Sequence, residues 1–331
     1  MSVGVFSGGN FINSLQAAGK NAIINGDFTI NQRGFSSTTT NATYGFDRWL
    51  YYASGGTATY SAQTFTPGAA PVAGYEATNF ARILTSGQSA AGDYSALSQL
   101  IENVRVFAGQ TVTISFWAKA ASGTPKMSGE LVQAFGAGGS PSSVVNTYAG
   151  QATLSTTWAR YSMTIAVPSI SGKTIGTTTN TSYLGLNLWV SAGSSLNSRT
   201  NSLGIQNNTF DIWGVQVESG SVATAFQTAT GTLQGELAAC QRYYYTPTTT
   251  GINMWGGNTT SGSTYYVTVY PKQTMRISPT VVFLSNGASG FASGAPTATN
   301  INAEGFWASA VANATVSGGY FQFYYTANAE L

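Results

Sequence analysis

The chain has 331 residues, 43% of them hydrophobic and 13% aromatic, but only 7% charged, far below the quarter or so usual in a soluble domain. Its net charge is +2, its 13 basic residues are scattered singly, and it holds no histidine and one cysteine, Cys240. These facts argue against a nucleic-acid partner and exclude histidine-assisted nucleophilic catalysis, an intrachain disulfide framework and a cysteine-based zinc site.

Residues 1–20 come first, with Val5, Phe6, Phe11, Ile12 and Leu15 set between Gly, Ser and Asn. So few apolar groups cannot form a core, and the segment reads as an anchor ordered by a partner or as a frayed terminus. It lacks the basic start and apolar run of a signal peptide, and no later run approaches a membrane span, so membrane insertion is not expected.

From residue 21 to 228, short runs alternate between apolar and polar with period two, the pattern of a β-sandwich. In Thr111–Lys119 the alternation puts Val112, Ile114, Phe116 and Ala118 on one face. In Tyr161–Val167 it selects Tyr161, Met163, Ile165 and Val167, and Pro168 ends the strand. In Tyr183–Val190 the core face is Leu184, Leu186, Leu188 and Val190. Residues 229–246 form a linker, in which Leu233, Leu237 and Cys240 at i, i+4 and i+7 predict a short helix with an apolar side. Residues 247–331 form a smaller β domain. Its last strand is aromatic on both faces, Tyr320 and Tyr324 against Phe321, Phe323 and Tyr325. One copy cannot bury both, so a homotrimer is expected. The fold class is all-β: a sandwich, a short helix and a second, smaller β domain.

The run Asn21-Ala-Ile-Ile-Asn-Gly-Asp-Phe-Thr-Ile-Asn-Gln-Arg-Gly, followed by Tyr44-Gly-Phe-Asp-Arg-Trp, resembles the opening of bacteriophage tail-fibre and virion surface proteins with a jelly-roll, carbohydrate-binding-module-like domain. The resemblance continues through Leu97-Ser-Gln-Leu-Ile-Glu, Ile114-Ser-Phe-Trp-Ala-Lys-Ala and Phe210-Asp-Ile-Trp-Gly-Val-Gln-Val-Glu-Ser-Gly to Ala225-Phe. Beyond it, Leu237-Ala-Ala-Cys-Gln-Arg-Tyr-Tyr, Met275-Arg-Ile-Ser-Pro-Thr-Val and Tyr325-Thr-Ala-Asn-Ala-Glu-Leu resemble the linker and second domain of such proteins. The resemblance implies a jelly roll at the virion surface. Residues 1–20 would then attach to another virion protein. The protein would be either a tail fibre or adhesin binding host-surface carbohydrate, or a capsid decoration or cement protein contacting other virion proteins.

No cofactor is required by this reading. Jelly-roll modules of this kind carry a structural calcium held by oxygens of the first and last strands, and the matching positions are Asn25, Asp27 and Asp211. The alternative is that Asn25-Gly26 is a turn and Asp211 a surface strand residue.

Strand parity also sends Trp117 and Lys119, and Tyr183, Asn187 and Trp189, away from the leucine-rich core. Aromatic rings beside amide and ammonium donors suit sugars, which present apolar C–H faces ringed by hydroxyls. The same side chains would equally serve to pack loops or another subunit. A carboxylate pair could still hydrolyse polysaccharide, but among the 11 acids only Glu76 and Asp93 sit in aromatic loop settings. Asp47 and Arg48 are expected to pair beside Trp49. A non-enzymatic protein is expected.

Overall fold

The computed structural model describes residues 19–247, 253–292 and 296–331. Residues 1–18 of the expected anchor lie outside them.

The first sandwich has two six-stranded antiparallel sheets. The first sheet runs in the order Ser37–Thr38, Thr57–Thr64, Asn79–Ser86, Thr209–Ser219, Thr111–Ala120, Ala159–Ala166. The second runs Thr43–Tyr44, Leu50–Ser54, Tyr94–Glu102, Tyr183–Ala192, Lys126–Ala134, Val145–Thr153. Eight consecutive strands, from Asn79–Ser86 to Thr209–Ser219, therefore interleave between the sheets in the order of a jelly roll.

The core between the sheets holds the faces that period-two alternation selects. Val112, Ile114, Phe116, Ala118, Met163, Ile165, Val167, Leu184, Leu186, Leu188 and Val190 are all buried in one cluster, with Tyr161 partly buried against it. Each such strand presents every second side chain to this cluster, which is why the alternation in the sequence is so regular.

The linker helix spans Leu233–Gln241 and is capped by Thr232, whose side chain accepts from the Gly235 amide. Its buried side corrects the sequence reading. Leu233 is 62% exposed, whereas Glu236, Cys240 and Gln241 are buried. The Glu236 carboxylate is held by the Asn25 and Thr230 amides and the Thr230 hydroxyl. Polar anchoring, rather than an apolar stripe, seats the helix.

The second sandwich is smaller. In its third sheet Val316–Asn328 is central, flanked by Tyr244–Tyr245 and Asn253–Thr259 on one side and Thr280–Ser289 on the other. The fourth sheet is Thr264–Val269, Phe306–Val311 and Thr297–Thr299. Between them Phe291, Phe306, Phe321, Phe323 and Tyr325 form a core of their own.

A buried polar junction joins the two sandwiches. Arg48 is 1% exposed and adopts φ +71°. It pairs with Glu330, donates to the Leu100 carbonyl and lies 3.4 Å from the ring centre of Tyr243. Arg33 pairs with Asp47 and Glu330 and stacks 3.7 Å over Tyr244. Arg276 reaches back to the Asn180 carbonyl and holds the carbonyls of Ala329 and Glu330. Asp47 and Arg48, expected as a pair, thus take separate partners, because positive φ at Arg48 turns its side chain toward the second sandwich.

Candidate functional site

The outward faces of the first sandwich share a vocabulary of Trp, Tyr, Arg and carboxylate, yet they are built differently. On the first sheet Trp117 lies opposite Trp213 in register. Trp117 meets Trp213 and Phe226 edge to face, and Trp213 packs tilted against Phe226, at centroid distances of 5.0–6.2 Å. A bulge after Trp213 carries Gly214 at φ +62°, and a Cβ there would come within 2.9 Å of the Trp117 ring. Tyr75, Phe65, Phe80 and Trp158 extend the cluster. Lys119 sits over Trp158 and, with Arg82, neutralises Asp211. This face is closed by its own aromatic residues.

On the second sheet the outward side chains leave a cleft of about 280 Å³. Tyr52, Tyr94 and Tyr183 form half-buried walls, Leu100, Gly185 and Val132 lie across the floor in one register row, and Asn187, Trp189, Leu196 and Arg199 close one end. A Cβ at Gly185 would stand 3.3 Å from Leu100 and 3.5 Å from Tyr183 and Val132, so the glycine keeps the floor low.

Glu130, wholly buried, organises the closed end. Its carboxylate accepts from Asn187 Nδ2 at 2.8 Å, Trp189 Nε1 at 3.1 Å, and Arg199 Nε and Nη2 at 2.7 and 2.8 Å. Ser98 donates to Asn187 Oδ1 from the neighbouring strand. The Arg199 guanidinium lies 5.0 Å from the Trp189 ring centre, and Tyr94 meets the same ring edge to face at 5.9 Å. The charges of Arg199 and Glu130 therefore cancel locally, and both orient groups that border the cleft. Burial pushes the Tyr52 and Tyr183 phenols above their ordinary range. Near pH 7 they are neutral, able to donate and to accept hydrogen bonds.

The sequence expectations divide accordingly. Parity correctly sends all five expected sugar-binding residues out of the core, but not to one face. Trp117 and Lys119 stand outside the first sheet, and Tyr183, Asn187 and Trp189 outside the second, with the whole core between them. Trp189 is only 4% exposed and acts as a support rather than an open platform. Tyr52, Tyr94, Glu130 and Arg199 escaped sequence reasoning. Ser98 and Glu130, in register with Asn187 on either side, fall on this face by parity of their own strands.

The expected calcium set is not assembled. The Asn25 amide is bonded to the Ile30 backbone and the Asp47 carbonyl, Asp27 accepts from Thr29 and Tyr75, and Asp211 is taken up by Arg82 and Lys119 on the outer face. Among the described residues no group of three or more His, Cys, Asp or Glu side chains is placed to hold a metal ion. Asn25 instead turns the chain at φ +58°.

A larger cleft, about 600 Å³, lies among the loops 27–29, 74–78 and 226–232 and the start of the linker helix, lined by Asp27, Tyr75, Glu76, Phe226 and Glu236 among others. Its carboxylates fasten local structure: Glu76 holds the Gly68 amide, and Asp27 and Glu236 pin the turn before Thr29 to the helix. Asp93 accepts from the Ser89 and Ala90 amides in a tight loop.

Residues 20–182 match the profile of a carbohydrate binding domain family. No curated protein sequence matches the chain. Among solved structures, the chain is similar to the enzymatically active domain of a tailspike protein of bacteriophage CBA120, with 13% identity and a TM-score of 0.34 over 61% of this chain and 22% of that one. It is similar to a xylan-binding domain from Paenibacillus barcinonensis, with 21% identity and a TM-score of 0.32 over 51% and 91% of the two chains. A family 11 carbohydrate-binding module from Clostridium thermocellum, in complex with a mixed-linked tetrasaccharide, gives 10% identity and a TM-score of 0.33 over 57% and 99%.

Proposed function

We propose that the protein is a non-enzymatic adhesin of a bacteriophage virion that binds host-surface carbohydrate in the cleft of the second sheet. The observation that carries this is the combination of three tyrosine walls, a floor kept low by Gly185, and polar groups fixed by Glu130, within a sandwich most of which matches a carbohydrate-binding profile. Tyrosine rings cover the apolar face of a sugar while their hydroxyls, Asn187 and Arg199 meet its rim. The virion setting is supported by the order of motifs along the sequence. In that setting the chain acts as a homotrimer attached through residues 1–20 to another virion protein.

Printed arrays of bacterial surface polysaccharides test the binding directly. The wild-type protein is expected to bind a subset of them, and Tyr94→Ala to bind that subset about 30-fold less, the scale of one lost aromatic anchor. A wild-type protein that binds none of them, in a preparation with native β structure, would favour the second reading. That reading, a capsid decoration protein, draws on one observation: the second sandwich exposes apolar side chains on both outer faces. Labelled antibody on intact particles separates tail from capsid.

A further inference from the structure

The outer face of the second sheet continues past the tyrosine-walled cleft. Leu100, on the cleft floor, is followed two residues on by Glu102, about 7 Å further along the same face, and Glu102 lies beside Tyr183 in register. Beyond this pair a second hollow of about 370 Å³ opens, lined by Glu102, Arg105, Thr177, Thr178, Asn180 and Ser182 among others. Hydroxyls and charges replace the aromatic walls of the first cleft. Both sides of the hollow are pinned by their own backbone. Asn103, at φ +75°, turns the chain out of its strand, and its side chain accepts from the Arg105 amide at 3.0 Å. The facing loop is fastened by the amides of Gly176, Thr177 and Thr178, which donate to the carbonyls of Phe135, Gly138 and Ala137.

The two hollows differ in charge. In the first, Arg199 and Glu130 cancel. In the second, Glu102 is taken up by Arg242 through two hydrogen bonds of 3.1 and 3.0 Å. The exposed Arg105 makes no ion pair among the described residues, and its guanidinium has one contact there, Nη1 at 3.5 Å from Asn103 Oδ1. Behind the hollow, Arg276 donates to the Asn180 carbonyl, while Arg33 and Arg48 share Asp47 and Glu330. Hollow and junction together hold five arginines against three carboxylates, which accounts for the whole net charge of +2. We propose that the second hollow is a subsite for an acidic sugar of the bound glycan, whose carboxylate or phosphate pairs with Arg105. A guanidinium with its fork free binds either oxyanion through charge-assisted hydrogen bonds, and the excess of positive charge around Arg276 draws such a group in. The threonine hydroxyls meet the other hydroxyls of the same unit. This inference rests on the carbohydrate reading and adds to it the class of saccharide.

On the array, the polysaccharides that the wild-type protein binds are expected to carry carboxylate or phosphate groups. For one of them, reducing the carboxyls to alcohols or stripping the phosphates should weaken binding about 10-fold, the scale of one hydrogen bond to a charged group. Which of the two treatments acts tells which oxyanion Arg105 meets. Arg105→Gln, at an exposed position, should keep the native β spectrum, bind the untreated polysaccharide about 10-fold less, and bind the treated one as the wild type does. Tyr94→Ala should weaken both forms alike. Neutral polysaccharides bound as tightly as acidic ones, or an Arg105→Gln variant that keeps the full preference for the untreated form, would overturn the acidic subsite and leave the tyrosine-walled cleft standing. A wild-type protein that binds no polysaccharide overturns both.

Discussion

The two sandwiches are built from the same uncharged, aromatic-rich composition, and they differ in what covers their outer faces. The jelly roll covers much of its first outer face with a cluster around Trp213 and braces its second with Glu130 beside a tyrosine-walled cleft. The second sandwich fills its interior with Phe306, Phe321 and Phe323 and leaves both outer faces bare. A tryptophan pointing out of a core is therefore not by itself a binding residue. Its role is set by whether loops, an ion pair or nothing lies over it.

The sharpest way to break this contrast is to remove the cover. Trp213 is wholly buried on the outward side of its sheet, so Trp213→Ala should cost about 4 kcal/mol, the scale of a core aromatic, seen as a fall in the denaturant midpoint. Glu130→Ala comes next, at about 3 kcal/mol, because it leaves Arg199, Asn187 and Trp189 without their shared acceptor in a mostly buried place. The same variant should lose carbohydrate binding. If it folds with native stability, the brace is not what shapes the cleft.

The junction between the sandwiches gives a smaller effect with a definite sign. Burial, opposed by Arg33 and Gln32, raises the Asp47 carboxyl to about 6, against about 3.9 in an unfolded chain. The folded state thus holds this proton more tightly, and stability should rise as pH falls from about 7 to about 5, by roughly 1 kcal/mol. Asp47→Asn should flatten that rise, as denaturant midpoints at the two pH values would reveal. At the small end, Trp307→Ala on the bare fourth sheet should change stability by under about 0.5 kcal/mol. A large loss there would mean that this face is packed in solution.

Much of the fold was legible in the sequence because burial in a two-layer sandwich imposes period two on its strands. The apolar faces of Thr111–Ala120, Ala159–Ala166 and Tyr183–Ala192 were readable for that reason, as was the outward direction of Trp117 and Trp189. Which sheet each strand joins was not, since parity carries no information about pairing between distant strands, and the outward residues of Thr111–Ala120 and Tyr183–Ala192 lie on opposite faces. The linker helix misled because its buried side is fixed by hydrogen bonds from Asn25 and Thr230 to Glu236, contacts with partners that period alone cannot supply. The three positions expected to hold calcium were likewise read without their partners: Asp211 faces Arg82 and Lys119, cations drawn from two neighbouring strands.

In the proposed function carbohydrate binds at the second sheet rather than the first. Titrating a polysaccharide selected on the array against Tyr183→Ala and Lys119→Ala tests it on matched terms, one residue outside each sheet. Affinity should fall about 30-fold for Tyr183→Ala, near 2 kcal/mol, and stay within about twofold of wild type for Lys119→Ala. Undiminished binding by Tyr183→Ala, with Lys119→Ala the weakened variant, would contradict it.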